Sequence, residues 1–220
     1  MSIDLTKILK EEVDSHHVLN NTWLINRIEN LTLRDLKLWL SQEYFVSIDF
    51  VTWFLKACTI TNEFDIRIVL IQNIWEELGD GRKENSHVEI LKNFMIDINF
   101  NFDDLICLPK TLEYLKLMEK IIEKNIYMAL GALGPANEYL LKKEYGKMYN
   151  SYQELKIREN LPSGKFFEIN LNADEGHSKK IFELIEKVCN TEEKIKWVIE
   201  GNRQALSARS TFYEGLQWLE

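Results

Sequence analysis

Residues 32–59 read TLRDLKLWLSQEYFVSIDFVTWFLKACT. Within them Leu36, Trp39, Leu40, Tyr44, Phe45, Ile48, Val51 and Leu55 recur at three- and four-residue steps, the period of a helix with one apolar face. Thr32 with Asp35 three residues on is in capping-box register, which predicts where this helix starts. The apolar stretch from Tyr44 to Ile60 is interrupted by Asp49 and Lys56, so it predicts a core helix and not a membrane span.

The same period extends outward in both directions. Leu5, Ile8, Leu9 and Val13, then Leu19, Trp23 and Ile28, predict helix from Ile3 to about Glu29, with Asn20-Asn21 as an interruption. Asp65 to Leu78 is a third apolar helix. Gly79-Asp80-Gly81 then allows two readings, a break or a loosened turn inside one long helix, and Asn85 to Ile98 continues helical. Pro109 opens a helix running to about Leu130. Gly131-Ala-Leu-Gly134-Pro135 predicts a kink, followed by helix to about Tyr152. Leu161-Pro-Ser-Gly164 reads as a turn, and Phe166–Cys189 and Glu192–Trp218 as the last two helices. No repeat, low-complexity tract or long linker divides the chain. The expected fold is all-α, a single-domain bundle of seven to eight helices over residues 1–220.

Composition narrows the function. With 220 residues, 9 Gly and 3 Pro, the chain has too few breakers for a sandwich or barrel. Its 27 basic against 35 acidic residues give a net charge of −8, which argues against a nucleic-acid partner. The charged start, Met1-Ser-Ile-Asp-Leu-Thr-Lys, lacks a signal-peptide core. Cys58, Cys107 and Cys189 are too scattered for a disulfide frame or a zinc site and predict free thiols in a reducing cytoplasm. Surplus apolar helix faces allow a homodimer.

The four histidines carry the chemistry. Glu84-Asn-Ser-His87 and Asp174-Glu-Gly-His177 both place a carboxylate three residues before an imidazole, on one face of a helix. Mixed oxygen and nitrogen donors suit iron or manganese. Asp14-Ser-His-His17 has the same spacing, so the pattern alone is cheap. Order along the chain adds weight: Glu43, Glu84/His87, Glu138 and Asp174/His177 follow the helix-by-helix supply of a four-helix di-iron carboxylate site. On an unbroken helix Glu77, Asp80, Glu84 and His87 would form one stripe. The alternative is that Asp80 caps a new turn after Gly79 and Glu84 only complements the next helix's dipole.

These segments also carry a resemblance. Leu38-Trp-Leu-Ser-Gln-Glu-Tyr-Phe-Val, Asn73-Ile-Trp-Glu-Glu-Leu-Gly-Asp-Gly with His87, Ala129-Leu-Gly-Ala-Leu-Gly-Pro-Ala-Asn-Glu138 and Phe166-Phe-Glu-Ile-Asn170-Leu-Asn-Ala-Asp174-Glu-Gly-His177 resemble the haem-oxygenase-like di-iron oxidases and oxygenases. That group includes the chlamydial protein associating with death domains and shares the fold of TenA and pyrroloquinoline-quinone synthase. The resemblance implies Glu77, His87, Glu138, Asp174 and His177 as iron ligands, with Glu84, Glu43 and Asn170 as further ligand or supporting candidates. It implies Fe(II), one or two ions per chain, with O2 as co-substrate and a small amino, fatty or aromatic acid as substrate. Asn170 stands where the family's "F-F-x-x-H-x-x-x-D-x-x-H" signature has its first His. An amide oxygen holds iron more weakly than imidazole, so the second ion is expected to be labile or absent. Trp39, Tyr44 and Tyr139 are candidate substrate-pocket residues. The rival expectations are a degenerate member acting as a helical interaction protein, or a TenA-like or quinone-synthase-like enzyme without metal; a TenA-like enzyme would need a pocket cysteine.

Overall fold

The computed structural model describes residues 4–217, without the side chains at 172–175 and 177. Among the described residues ten α-helices follow one another: α1 (Leu5–Ser15), α2 (Thr22–Glu29), α3 (Leu33–Thr59), α4 (Phe64–Glu77), α5 (His87–Asp97), α6 (Pro109–Lys124), α7 (Ile126–Leu133), α8 (Leu140–Glu159), α9 (Lys165–Val188) and α10 (Glu192–Gln217). The expected seven to eight become ten because asparagine caps divide two segments, the first at the interruption expected at Asn20-Asn21 and the other at Asn125, inside a run read as continuous. Asn21 caps α2 by accepting from Leu24 N, and Asn125 caps α7 by accepting from Met128 N. The Thr32–Asp35 capping box forms as expected. No helix among the described residues is long and apolar enough to cross a membrane.

α10 packs along α7 and α6, α3 lies against α4 and α6, and α9 lies against α8. The α7–α10 contact is backbone on backbone. A Cβ at Gly131 would lie 2.0 Å from the Val198 carbonyl oxygen, and one at Gly201 would lie 2.2 Å from that of Met128. Gly131→Ala must therefore push two core helices apart. A loss of about 1–3 kcal/mol is expected, read as a lower urea midpoint at unchanged slope.

The expected kink between α7 and α8 is a π-helical turn, Gly134–Tyr139. Pro135 has no N–H to continue the α ladder, so the turn widens. Asn137 compensates from the side chain. Its Nδ2 donates to the Ala132 carbonyl at 2.7 Å, and its Oδ1 accepts from the Tyr114 hydroxyl at 3.1 Å. The turn carries Glu138 inward, where it is 1% exposed.

Candidate metal centre

The choice left open at Gly79-Asp80-Gly81 falls to the break. All three residues are left-handed, with φ of 69°, 55° and 79°. At Gly79 a Cβ would lie 2.5 Å from three backbone atoms of Arg82, Asn85 and Ser86, so only glycine fits this fold-back. The continuous stripe of 77, 80, 84 and 87 therefore does not form. Asp80 is exposed, and Glu84 is exposed in a short 3-10 turn, Lys83–Asn85. The Glu84-x-x-His87 spacing does not lie on one helix.

The break instead sets the end of α4 against the start of α5. Ser86 caps α5, accepting from Glu89 N, and makes His87 its first residue. Glu77 occupies the last turn of α4. His87 Nδ1 lies 3.0 Å from Glu77 Oε2, with the two side chains only 12% and 8% exposed. A carboxylate oxygen and an imidazole nitrogen each about 2.1 Å from one ion, at right angles, are also about 3.0 Å apart.

The pair looks into a cavity of about 30 Å³, walled by Val46, Ser47 and Phe50 of α3, Leu141 and Tyr145 of α8, and Asn170 of α9. That volume holds an ion with a water or a diatomic molecule, and no organic acid. Asn170 is 7% exposed, and its Nδ2 donates to the Phe166 carbonyl at 2.8 Å, which fixes the amide. Among the described residues no group of three or more His, Cys, Asp or Glu stands close enough to hold a metal ion. Asp174 and His177 lie outside the described side chains, so the ligand set implied for them is neither closed nor opened by the described residues.

Glu43 takes part in a different arrangement. Arg209 Nη2 bonds Glu43 Oε1, and it also reaches Glu144 Oε2 at 2.7 Å. The three side chains are at most 1% exposed. Phe212 stacks against the guanidinium, 4.1 Å from Cζ to the ring centre. Sequence reading missed Arg209 and Glu144. The available signal was Arg209 itself, a charge on the α10 stripe of Ala205, Leu206, Phe212 and Tyr213.

One guanidinium serves two buried carboxylates and can neutralise only one. Burial accordingly outweighs Arg209 and pushes Glu43 up to about 7, and it raises Glu144 as well. The unfolded chain loses the Glu43 proton near the ordinary glutamate value of 4.5, whereas the folded chain keeps it to about 7. Stability should therefore fall as pH rises from about 4.5 to 7, by on the order of 3 kcal/mol from this group. Glu43→Gln should flatten that part of a urea-midpoint profile against pH.

Tyr145 joins the two arrangements. It lines the cavity, and its hydroxyl donates to Glu43 Oε2 at 3.4 Å. The substrate-pocket candidates fall elsewhere. Trp39 is buried edge-on against Tyr145, and Tyr44 packs on Phe45 and Phe102. Tyr139 faces Asp14 in a lysine-lined surface groove. None of the three lines the cavity, because the apolar pattern that selected them also marks ordinary core. No cysteine lines it either, and burial raises the thiols of Cys58, Cys107 and Cys189.

Comparison with known proteins agrees with this architecture. The model of a family described as iron-containing redox enzymes matches residues 37–210. No curated protein matches the chain. A CADD-like protein of unknown function from Nostoc punctiforme is similar in structure, with a TM-score of 0.83 at 16% identity over 97% of this chain and 96% of that one. A domain of haem-oxygenase-like fold from Shewanella denitrificans superposes at 0.78 and 18% identity, covering 100% and 94%. A TenA homologue from Pseudomonas syringae superposes at 0.72 and 13%, covering 97% and 93%. At these identities the likeness shows the haem-oxygenase-like fold.

Proposed function

We propose that this chain, which belongs to the family of iron-containing redox enzymes, is a non-haem iron oxidoreductase that uses O2 on a small organic acid. The observation that carries the reading is the Glu77–His87 pair, 3.0 Å apart and facing a small cavity of about 30 Å³. Iron would be held by Glu77 and His87, with Glu138, Asp174 and His177 as the partners the family resemblance implies and Asn170 as a weak amide donor. Bound ferrous iron supplies the capacity to bind and reduce O2.

The chain's own residues define the rest. Val46, Phe50 and Leu141 give the cavity its apolar walls. Glu43, pushed up to about 7 by burial, can take up or hold a proton near neutral pH, and the Tyr145 hydroxyl, which donates to it, links it to the cavity wall. Arg209 fixes Glu43 in place from the other side. The cavity leaves no room for the organic substrate, so substrate binding requires α3 and α8 to part at Phe50 and Leu141, or an approach from outside that wall.

Anaerobic ferrous titration followed by calorimetry, with O2 uptake recorded on the loaded protein, tests the reading. Saturable iron binding and substrate-stimulated O2 uptake support it. Protein that binds no iron and consumes no O2 would overturn it in favour of a helical interaction protein.

A further inference from the structure

The face of α5 that begins with His87 continues through Ile90, Phe94 and Asp97, at helical steps of three and four. The first turn of α9 packs against it, and the two close a pocket of about 180 Å³, separate from the metal cavity. Its floor is apolar: Phe94 and Phe166 are buried there, and Ile90 and Ile169 half-buried. Its rim is charged. Glu84 and Asp97 bring carboxylates and Lys165 an ammonium, beside the neutral Asn93 and Ser163. These rim side chains are exposed, and none has a hydrogen bond or ion pair to another described residue.

The pocket adjoins the metal cavity. Phe166 stacks on Phe94 with ring centres 5.6 Å apart, and it also packs on Tyr145 at 5.7 Å. Tyr145 is a wall of the metal cavity. Ile169 directly precedes Asn170, another wall, and Ile90 lies one helical turn after His87.

We infer that this pocket recognises the organic substrate, and that the substrate is an α-amino acid with an apolar side chain. The inference rests on the iron-dependent reading above and narrows the acid that reading names. The rim selects the class. A zwitterion offers its carboxylate to Lys165 and its ammonium to Glu84 and Asp97. A fatty or aromatic acid brings a carboxylate alone and sets it near two like charges, whereas a bare metal cation meets the Lys165 ammonium. The volume selects the size. A dry cavity of about 150 Å³ holds benzene, so side chains from leucine to phenylalanine fit. With its charged end held at the rim, the amino acid lays its side chain on Phe94 and Phe166, one ring away from Tyr145. Glu84, which the break in the helix takes away from His87, thereby has a ligand other than iron.

Calorimetry on the metal-free protein tests this with L-leucine, L-methionine and L-phenylalanine as probes. At least one should bind saturably. Removing either charge from the probe, as 3-phenylpropionate or phenethylamine does for L-phenylalanine, should weaken binding about tenfold or more, the worth of one hydrogen bond to a charged group. Lys165→Gln should reduce the amino acid to the affinity of its amine and leave the amine's own affinity unchanged. Glu84→Gln with Asp97→Asn should reduce the amino acid while improving 3-phenylpropionate. A damaged fold would weaken every probe alike and would not give these crossed responses. Failure of all three amino acids to bind overturns the inference. So does an analogue without the ammonium that binds as tightly as the amino acid, or an amino-acid affinity unchanged in both variants. Iron uptake and O2 consumption by a protein that binds none of the probes overturns the pocket alone. An amino acid bound by protein that takes up no iron supports the pocket and overturns only the iron reading.

Discussion

Replacing Arg209 by methionine should cost about 3–5 kcal/mol of folding stability. The guanidinium is 1% exposed and serves Glu43 and Glu144, which have no other cation within ion-pair distance among the described residues. Removing it leaves two carboxyl groups facing each other in a dry core. The folded protein would have to keep both protonated or hold an uncompensated charge. The cost therefore depends on pH. It should be smaller near pH 5, where protons are available, and larger near pH 8, where neutralising the pair takes protons from a dilute pool. Arg209→Met with Glu43→Gln and Glu144→Gln should recover most of the loss, because no buried charge then remains. Urea denaturation at the two pH values measures all three statements. A single variant as stable as the native chain at pH 8 would show that the triad is not buried as described.

Replacing His87 by alanine should weaken ferrous binding on the order of 100-fold or more, since losing even an orienting neighbour of a ligand costs 10–100-fold and here a ligand itself is lost. Stability should also fall, by about 1–3 kcal/mol, because the nearly buried Glu77 carboxylate loses a partner at 3.0 Å, although Ser86 still caps the helix. Asn170→His moves the other way. Asn170 lines the same cavity, and an imidazole there adds a nitrogen donor, so iron content should rise from about one towards two ions per chain. Metal analysis after anaerobic loading and desalting reads both. A native protein already holding two tightly bound ions would contradict the role given to Asn170.

The bundle was legible where local chemistry and apolar period agree. The 27-residue α3 is the example, with its capping box and one apolar face. The period fails where a helix is apolar on both faces. In α4 the run that predicts a core helix also contains Trp75, which is 55% exposed. Spacing fails where the element is not continuous. Glu84-x-x-His87 counts correctly, but three left-handed residues upstream leave Glu84 outside the helix and bring Glu77 to His87 instead. Gly134-Pro135 made a kink legible, but not that the widened turn carries Glu138 inward, since a glutamate there fits a solvated face equally well until the helices are packed. Arg209 was not, because a search for carboxylates and imidazoles passes over a cation, and its partner Glu144 resembles any surface glutamate until α8 and α10 are packed.

The direct test of the account is anomalous diffraction at the iron edge from crystals grown and loaded with Fe(II) without O2. The account predicts a peak inside the cavity walled by Phe50, Leu141 and Tyr145, about 2.1 Å from Glu77 Oε2 and from a ring nitrogen of His87. An empty cavity with the Glu77–His87 contact intact, and iron absent or scattered over surface carboxylates, would contradict it.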